Sequence, residues 1–159
     1  MTKKQINKTN ALRILDQMNI EYDTAEYEVN DGEVAGTTVA EKIGVSPEVV
    51  FKTIVTRGKQ DIYVFCVPSN QEIDLKKAAK ACNEKKVDPV KVKELFELTG
   101  YIRGGCSPLG MKKKYPVFLE ETILIHENVY VSAGKIGTQV LLNVNDLIKA
   151  TDANLTDLV

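Results

Sequence analysis

The sequence predicts an α+β fold built on a mixed sheet. Three observations carry that prediction: strand and helix patterns alternate irregularly, at least two hairpin connections interrupt them, and neither G-x-G-x-x-G nor G-x-x-x-x-G-K-[ST] follows a strand. With 159 residues, 43% hydrophobic and 27% charged, the chain can bury a core without disulfides or a structural metal. No repeat or low-complexity linker divides it, so residues 1–159 read as one domain.

The elements follow in order. Thr9 is placed to cap a first helix whose Ala11, Leu12, Leu15 and Met18 recur at helical spacing, with Asn19 near its end. Glu21 to Val29, where Tyr22 and Tyr27 alternate with acidic and small residues, reads as extended up to the turn-forming Asn30-Asp31-Gly32. Thr38 and Glu41 form a capping box for a short helix through Ile43 that Gly44 terminates, and Ser46-Pro47-Glu48 starts another helical turn. Phe51 to Arg57 is a strand with Phe51, Thr53 and Val55 on one face and Lys52, Ile54 and Thr56 on the other. Gly58-Lys59-Gln60-Asp61 connects it to the apolar strand Ile62 to Val67.

Asp74 caps the next helix, with Leu75, Ala78, Ala79 and Cys82 along one stripe. Asp88-Pro89 is expected to open a helix carrying Val92, Leu95, Phe96 and Leu98, with Gly100 as its C-terminal cap. Pro116 to Leu119 and Asn128 to Ser132 read as extended, and Gly134-Lys135-Ile136-Gly137 as a hairpin into the strand Thr138 to Asn143. Asn145 is the expected cap of a last short helix, and Thr151 to Val159 a tail of mixed character.

Several function classes drop out on composition. No apolar run is long enough to cross a membrane and the amino end lacks the apolar segment of a signal peptide, so a cytoplasmic location with no membrane partner is expected. The formal net charge of −1 excludes the broad basic character of proteins that coat nucleic acid, and no DNA partner is expected. Lysines nevertheless cluster at Lys76, Lys77, Lys80, Lys85 and Lys86 and again at Lys112, Lys113 and Lys114, as solvated faces or as a small basic rim. Cys66, Cys82 and Cys106 form no C-x-x-C pair, so neither a disulfide framework nor a metal site is expected, and no cofactor. G-x-S-x-G and H-E-x-x-H are absent, and the single His126, in an apolar run, reads as structural or exposed.

One stretch looks like a site. Thr99 to Gly110 holds four glycines and a proline in twelve residues, a loop whose Gly104 and Gly105 can approach a ligand closely or simply turn the chain. Cys106, framed there by glycines, is the one candidate nucleophile. Lys52, a cation on a strand face beside Ile54, needs an anion or a path to solvent.

Phe51-Lys52-Thr53, the helix Asp74-Leu75-Lys76-Lys77-Ala78-Ala79, the loop from Thr99 to Gly110 and the hairpin Val131-Ser132-Ala133-Gly134-Lys135 occur in this order across nearly the whole chain. Together they resemble the YbaK/EbsC family of trans-editing aminoacyl-tRNA deacylases, which is similar to the editing domain of bacterial prolyl-tRNA synthetases. The resemblance implies a mixed, barrel-like β-sheet surrounded by helices. It implies removal of a small mischarged amino acid, foremost cysteine from Cys-tRNA(Pro) or Cys-tRNA(Cys), by attack of the substrate's own thiol on its ester carbonyl to give a cyclic thiolactone. On that mechanism Lys52 is the essential cation at the terminal phosphate or ribose, and the amides of Gly104 and Gly105 meet the carbonyl oxygen. Tyr27 lines the cleft, Ser107 belongs to the glycine loop, and Ser132 and Gly134 form the second wall, with Gly104 and Gly105 facing Lys52.

The implied partners are the acceptor end of an aminoacyl-tRNA and, through the synthetase link, prolyl-tRNA synthetase. The competing reading is a non-catalytic module of the same fold that holds a tRNA end or a synthetase. Ala35, Ile136 and Gln139 depart from the cysteine-specific pattern, which carries an aromatic, an arginine and an aspartate. The first change enlarges the amino-acid pocket, and the last removes an acidic anchor for the substrate ammonium.

Overall fold

Local signals in the chain set most element boundaries. In the computed structural model, which describes residues 8–29 and 36–159, helix α1 (Asn10–Gln17) starts where the Thr9 hydroxyl accepts from the Leu12 N–H at 3.3 Å, and it buries Ala11, Leu12 and Leu15. Strand β1 (Tyr22–Glu26) and helix α2 (Gly36–Ile43) follow, then a 3-10 turn (Pro47–Val49) leading into strands β2 (Phe51–Arg57) and β3 (Ile62–Pro68). Helix α3 (Leu75–Ala81) is capped by the Asp74 carboxylate, which accepts from Lys76 and Lys77 N–H. Beyond it come β4 (Asp88–Pro89), α4 (Val92–Thr99), β5 (Val117–Glu120), a 3-10 turn (Glu121–Ile125), β6 (Asn128–Lys135), β7 (Thr138–Asn143), α5 (Val144–Thr151) and β8 (Asn154–Thr156).

These strands form two sheets. One is antiparallel in the order β1-β7-β6; the other is mixed in the order β4-β2-β3-β5-β8, with β3, β5 and β8 parallel. They meet at a single parallel bridge between Val50 and Tyr130, and no closed barrel is present among the described residues. Between them lies the main core: Phe51, Val55, Val64 and Cys66 from one sheet, Val129, Val131, Ala133, Val140 and Leu142 from the other, closed by Leu15 of α1 and Leu147 of α5. A second cluster covers the far face of β3, where Phe65 stacks on Phe118 at 5.3 Å and Ala78 and Ala79 of α3 pack. The predicted alternation in β2 therefore divides the two clusters, Thr53 pairing with Cys66 and Lys52 with Val67. No helix among the described residues is long and apolar enough to cross a membrane.

Six expectations need correction. Helix α2 begins at Gly36, so Thr38 lies in its first turn and does not cap it. Asp88-Pro89 pairs with Thr56 and Arg57 as a short edge strand, a position that suits a residue without an N–H. Helix α4 starts only at Val92, with the Glu94 carboxylate accepting from Lys91 N–H at 3.2 Å, and leaves Val92 and Phe96 exposed. Leu75 is also exposed, so the α3 stripe is Ala78 and Ala79 with Cys82 only partly buried. Asn143, not Asn145, caps α5, its Oδ1 accepting from Asn145 N–H at 2.9 Å. The β6–β7 hairpin is tighter than expected: β6 runs on to Lys135, which pairs with Thr138 across Ile136-Gly137, while Gly134 falls where the register shifts. The turn Asn30-Asp31-Gly32 and Ala35 lie outside the described residues.

The expected tail carries structure as well. Strand β8 adds to β5 in parallel, and Leu158 is fully buried. Buried Glu120 holds it: one carboxylate oxygen accepts from Leu158 N–H at 2.7 Å and the other from Thr122 N–H at 2.9 Å. Lys77 adds an ion pair to Asp157 at 2.8 Å. Glu120→Ala strands the buried Leu158 N–H and removes the partner of the part-buried Thr122 N–H, so we expect it to lower the urea unfolding free energy by about 2–3 kcal/mol. Glu120→Gln, which keeps one acceptor, should cost clearly less.

Candidate active site

The Val50–Tyr130 bridge aligns the site. Parallel partners present their side chains on the same side, and period-two alternation carries that side to Lys52 on β2 and Ser132 on β6, each two residues past the bridge. From there the strands part, each pairing within its own sheet. Ser132 stands opposite Gln139 on β7, and Gln139 opposite Ala25 on β1. The ladder runs on to Tyr27, whose N–H donates to Gly137 O at 3.0 Å. Lys52, Ser132, Gln139 and Tyr27 thus share the face turned away from Val131, Ala133 and Val140 of the main core.

Lys52 is partly buried, its side chain 28% exposed, and its ammonium lies 3.6 Å from the carboxylate of the exposed Glu72. A pair of that length with a freely solvated acid is weak, so the cation can exchange it for a phosphate. Ser132 is buried; its oxygen accepts from Gly134 N–H at 3.1 Å, which leaves its own O–H to donate. Gln139 is buried too, and its Oε1 has no hydrogen-bond partner.

The glycine loop approaches this wall from α4. After Gly100 ends that helix, buried Tyr101 donates its O–H to Leu109 O at 2.6 Å and lays its ring against Gly134. A Cβ on Gly134 would lie 2.9 Å from that ring, and φ of +98° also requires glycine there. Thr9 adds a hydrogen bond from its hydroxyl to Ala133 O, so the residue that caps α1 also pins this segment. Gly105 lies flat on the hairpin, where a Cβ would sit 2.9 Å from the Ile136 nitrogen. Its N–H donates to Ile102 O at 2.9 Å, closing a turn. The expected pair of free amides is therefore one: Gly104 N–H has no protein acceptor among the described residues, whereas Gly105 N–H is taken. Ser107 is fully buried with its oxygen accepting from Leu109 N–H at 3.2 Å.

The structure brings the loop to the β6–β7 hairpin, and Lys52 to Ser132 through the bridge. No hydrogen bond or ion pair among the described residues joins Lys52 to the loop; each is placed through its own contact, Lys52 through the bridge and the loop through the hairpin. Gln139 entered the sequence reading only as a departure from a family pattern; its burial beside Ser132 depends on strand pairing that no local signal reveals.

The remaining candidates are inert or structural. Burial pushes the Cys106 thiol up to about 12, against the opposing influence of the Thr99 hydroxyl, and the buried Cys66 thiol likewise to about 12. Both are protonated at neutral pH, so neither supplies a thiolate. His126 sets its ring edge-on to Phe51 at 6.5 Å, a packing role. No group of three or more side chains among the described residues could hold a metal ion. Of the clustered lysines, Lys77, Lys86 and Lys114 pair with Asp157, Asp88 and Asp152, while Lys76, Lys80, Lys85 and Lys113 have no ion pair among the described residues.

Two further surface cavities lined by described residues lie elsewhere. One of about 610 Å³ is lined by Glu21, Asp23 and Asp146, acids that repel an RNA backbone. The other, about 290 Å³, sits behind the glycine loop between Ile14, Met18, Met111, Tyr115 and Ala150.

Comparison with known proteins bears on the whole chain. The family described as an aminoacyl-tRNA editing domain matches residues 34–150. A protein of Enterococcus faecalis (strain ATCC 700802 / V583), described as "Putative Cys-tRNA(Pro)/Cys-tRNA(Cys) deacylase EbsC", is 41% identical over 157 residues, covering 98% of this chain and 96% of its own. Among solved structures, "a putative trans-editing enzyme for prolyl tRNA synthetase" aligns with a TM-score of 0.81 at 22% identity, over 95% of this chain and 97% of that one. "Hypothetical protein APE2540" aligns with a TM-score of 0.85 at 18% identity, over 94% and 99%. These two speak for the fold. With the fold, the matched domain and a near full-length relative in agreement with the segments that carried the resemblance, the chain belongs to the aminoacyl-tRNA editing-domain family.

Proposed function

We propose that the chain is a trans-editing aminoacyl-tRNA deacylase, acting in the cytoplasm as one domain on a small mischarged amino acid, foremost cysteine on tRNA(Pro) or tRNA(Cys). The observation that carries this reading is the alignment of Lys52 with Ser132 on one face beyond the Val50–Tyr130 bridge. A cation and an uncommitted hydroxyl on one polar wall, with the glycine loop packed on the hairpin of the same sheet, suit a phosphate-bearing ester better than a free metabolite. The two bridged sheets then stand for the barrel-like sheet of the family, and the E. faecalis relative's description supports the substrate class.

In this mechanism Lys52 holds the phosphate or ribose of the terminal nucleotide, and the Ser132 hydroxyl and Gly104 N–H donate to the ester carbonyl oxygen as it gains charge. Tyr27 lines the pocket, Gly134 gives the backbone its course at the wall, and Gly105 and Ser107 hold the loop in place. As the family resemblance implies, the nucleophile is the cysteinyl thiol of the substrate, and the raised Cys106 and Cys66 thiols are no rivals to it. Its sulfur bonds to the carbonyl carbon, the C–O bond to the ribose breaks, and the ribose oxygen takes the proton that the thiol gives up. Water then opens the released thiolactone to cysteine. Confinement in a near-attack geometry, rather than a protein nucleophile, supplies the acceleration. The unpaired lysines Lys76, Lys80, Lys85 and Lys113 form the rim for the tRNA, and prolyl-tRNA synthetase is the partner that would deliver it.

A deacylation panel tests the reading. The purified chain should cleave Cys-tRNA faster than Ala-tRNA or Ser-tRNA, and Lys52→Ala should lower kcat/KM by about 100-fold or more. Cys106→Ser should leave the rate unchanged. All three charged tRNAs persisting as they do in buffer, with tRNA binding still lost in Lys52→Ala, would make the chain a binding module.

A second prediction concerns the loop. Gly105→Ala forces a methyl group against the Lys135–Ile136 backbone, and we expect a stability loss of about 1–3 kcal/mol in thermal unfolding together with slower deacylation. Affinity for tRNA should fall steadily as salt rises.

A further inference from the structure

The cavity behind the glycine loop has the make-up of a ligand site. Its volume of about 290 Å³ stands at the lower end of the range that small-molecule sites occupy. Separate parts of the fold enclose it: Ile14 and Met18 from α1 and its end, Ala150 from α5, and Met111 with Val117 from the chain that runs out of the loop into β5. Gly110 joins the loop to α1, lying so close that a Cβ would sit 2.7 Å from the Asn10 carbonyl. Met18, Met111 and Ala150 reach the main core yet remain partly exposed, and Ile14 belongs to neither core cluster. Apolar surface gathered in a concavity and left open to water is the kind that a ligand covers.

The polar groups narrow the ligand. Both hydroxyls in the lining are committed, Tyr115 donating to Leu98 O at 2.8 Å and Thr151 to Leu147 O at 2.8 Å. The charged side chains in the lining are Lys113 and Lys114, with no carboxylate among them. Lys113 has no ion pair among the described residues. Lys114 reaches Asp152 at 3.5 Å, a weak pair with side chains 78% and 82% exposed. The rim thus offers one uncommitted cation and one shared, which matches a monoanion rather than a phosphate dianion. We propose that this cavity is a second binding site, which takes a small amphipathic carboxylate. Its acyl chain lies on the apolar floor between the two thioethers, whose unbranched side chains adapt to a flexible occupant. Its carboxylate meets the Lys113 and Lys114 ammonium groups at the solvated rim, where neither charge has to be buried. Apart from Lys113, which also belongs to the proposed tRNA rim, the site shares no residue with the deacylase machinery, and it stands or falls without it.

Titration of the labelled full chain with octanoate, octan-1-ol and octylammonium, followed by amide chemical shifts and kept below micelle-forming concentrations, tests this. The wild type should show saturable shifts at Met18, Met111 and Ala150 with octanoate, at a Kd of about 0.1–1 mM. Octan-1-ol, with the same chain and no charge, should bind about 10-fold more weakly, and octylammonium least of all. Replacing both exposed lysines, Lys113→Ala with Lys114→Ala, should bring octanoate down to the affinity of octan-1-ol and leave octan-1-ol where it was. No saturable shift at those three amides overturns the proposal, as does equal affinity of the wild type for octanoate and octan-1-ol. Octanoate shifts that appear instead at the exposed Phe96 and Ile125 would mean adsorption to scattered apolar surface and overturn it too. An undiminished preference for octanoate in the double variant removes the lysines from the site and with them the reason for a carboxylate.

Discussion

Among the described residues one parallel bridge, between Val50 and Tyr130, holds the two sheets in register, and the rest of the architecture depends on it. On one side of that junction the strands close over an apolar core from Phe51 and Val55 to Val131 and Val140. On the other they carry Lys52 and Ser132 to matching heights and then diverge. Alternation along a strand makes the two outcomes inseparable: a register slip of one residue would put Lys52 in the core and Phe51 in the site. Conversely, the burial of Phe51 and Val131 fixes the register of the site residues.

Around that junction the protein accepts local costs where the proposed substrate would lie. Ser132 and Gln139 are polar and buried, Gly134 and Gly104 adopt left-handed backbone, and Gly105 presses on the hairpin backbone more closely than any side chain would allow. Offsetting contacts stand just behind: the Tyr101 hydroxyl on Leu109 O, the Thr9 hydroxyl on Ala133 O, and the Ser107 oxygen on Leu109 N–H. This is the distribution expected of a preorganised site, with strain at the surface that meets ligand and satisfied hydrogen bonds in the layer that supports it.

What could be read from the sequence was whatever is decided locally. Thr9 and Asp74 cap their helices because a side-chain oxygen reaches N–H groups two or three residues on, and Gly100 ends α4 for an equally local reason. Strand β2 and the Thr138–Asn143 strand matched residue for residue, since alternation and flanking turns delimit them. Asp88-Pro89 and the Thr151–Val159 tail were misread because their conformation comes from distant partners, Thr56 and Arg57 in one case and β5 with Glu120 in the other. The same limit applied at the site. Lys52, Ser132 and the glycine loop were legible as residue types in a pattern, but the commitment of Gly105 N–H to Ile102 O and the lone oxygen of Gln139 arise only once the chain is folded.

The central claim is that the face shared by Lys52, Ser132 and Tyr27 receives the aminoacyl end of tRNA. Amide chemical-shift mapping of the labelled protein with 3′-cysteinylamino-3′-deoxyadenosine tests it most directly. The account predicts saturable shifts concentrated at Lys52, Gly104, Ser132 and Gly134. Saturable shifts confined to the cavity behind the loop, at Met18, Met111 and Ala150, with those four amides unmoved, would contradict it.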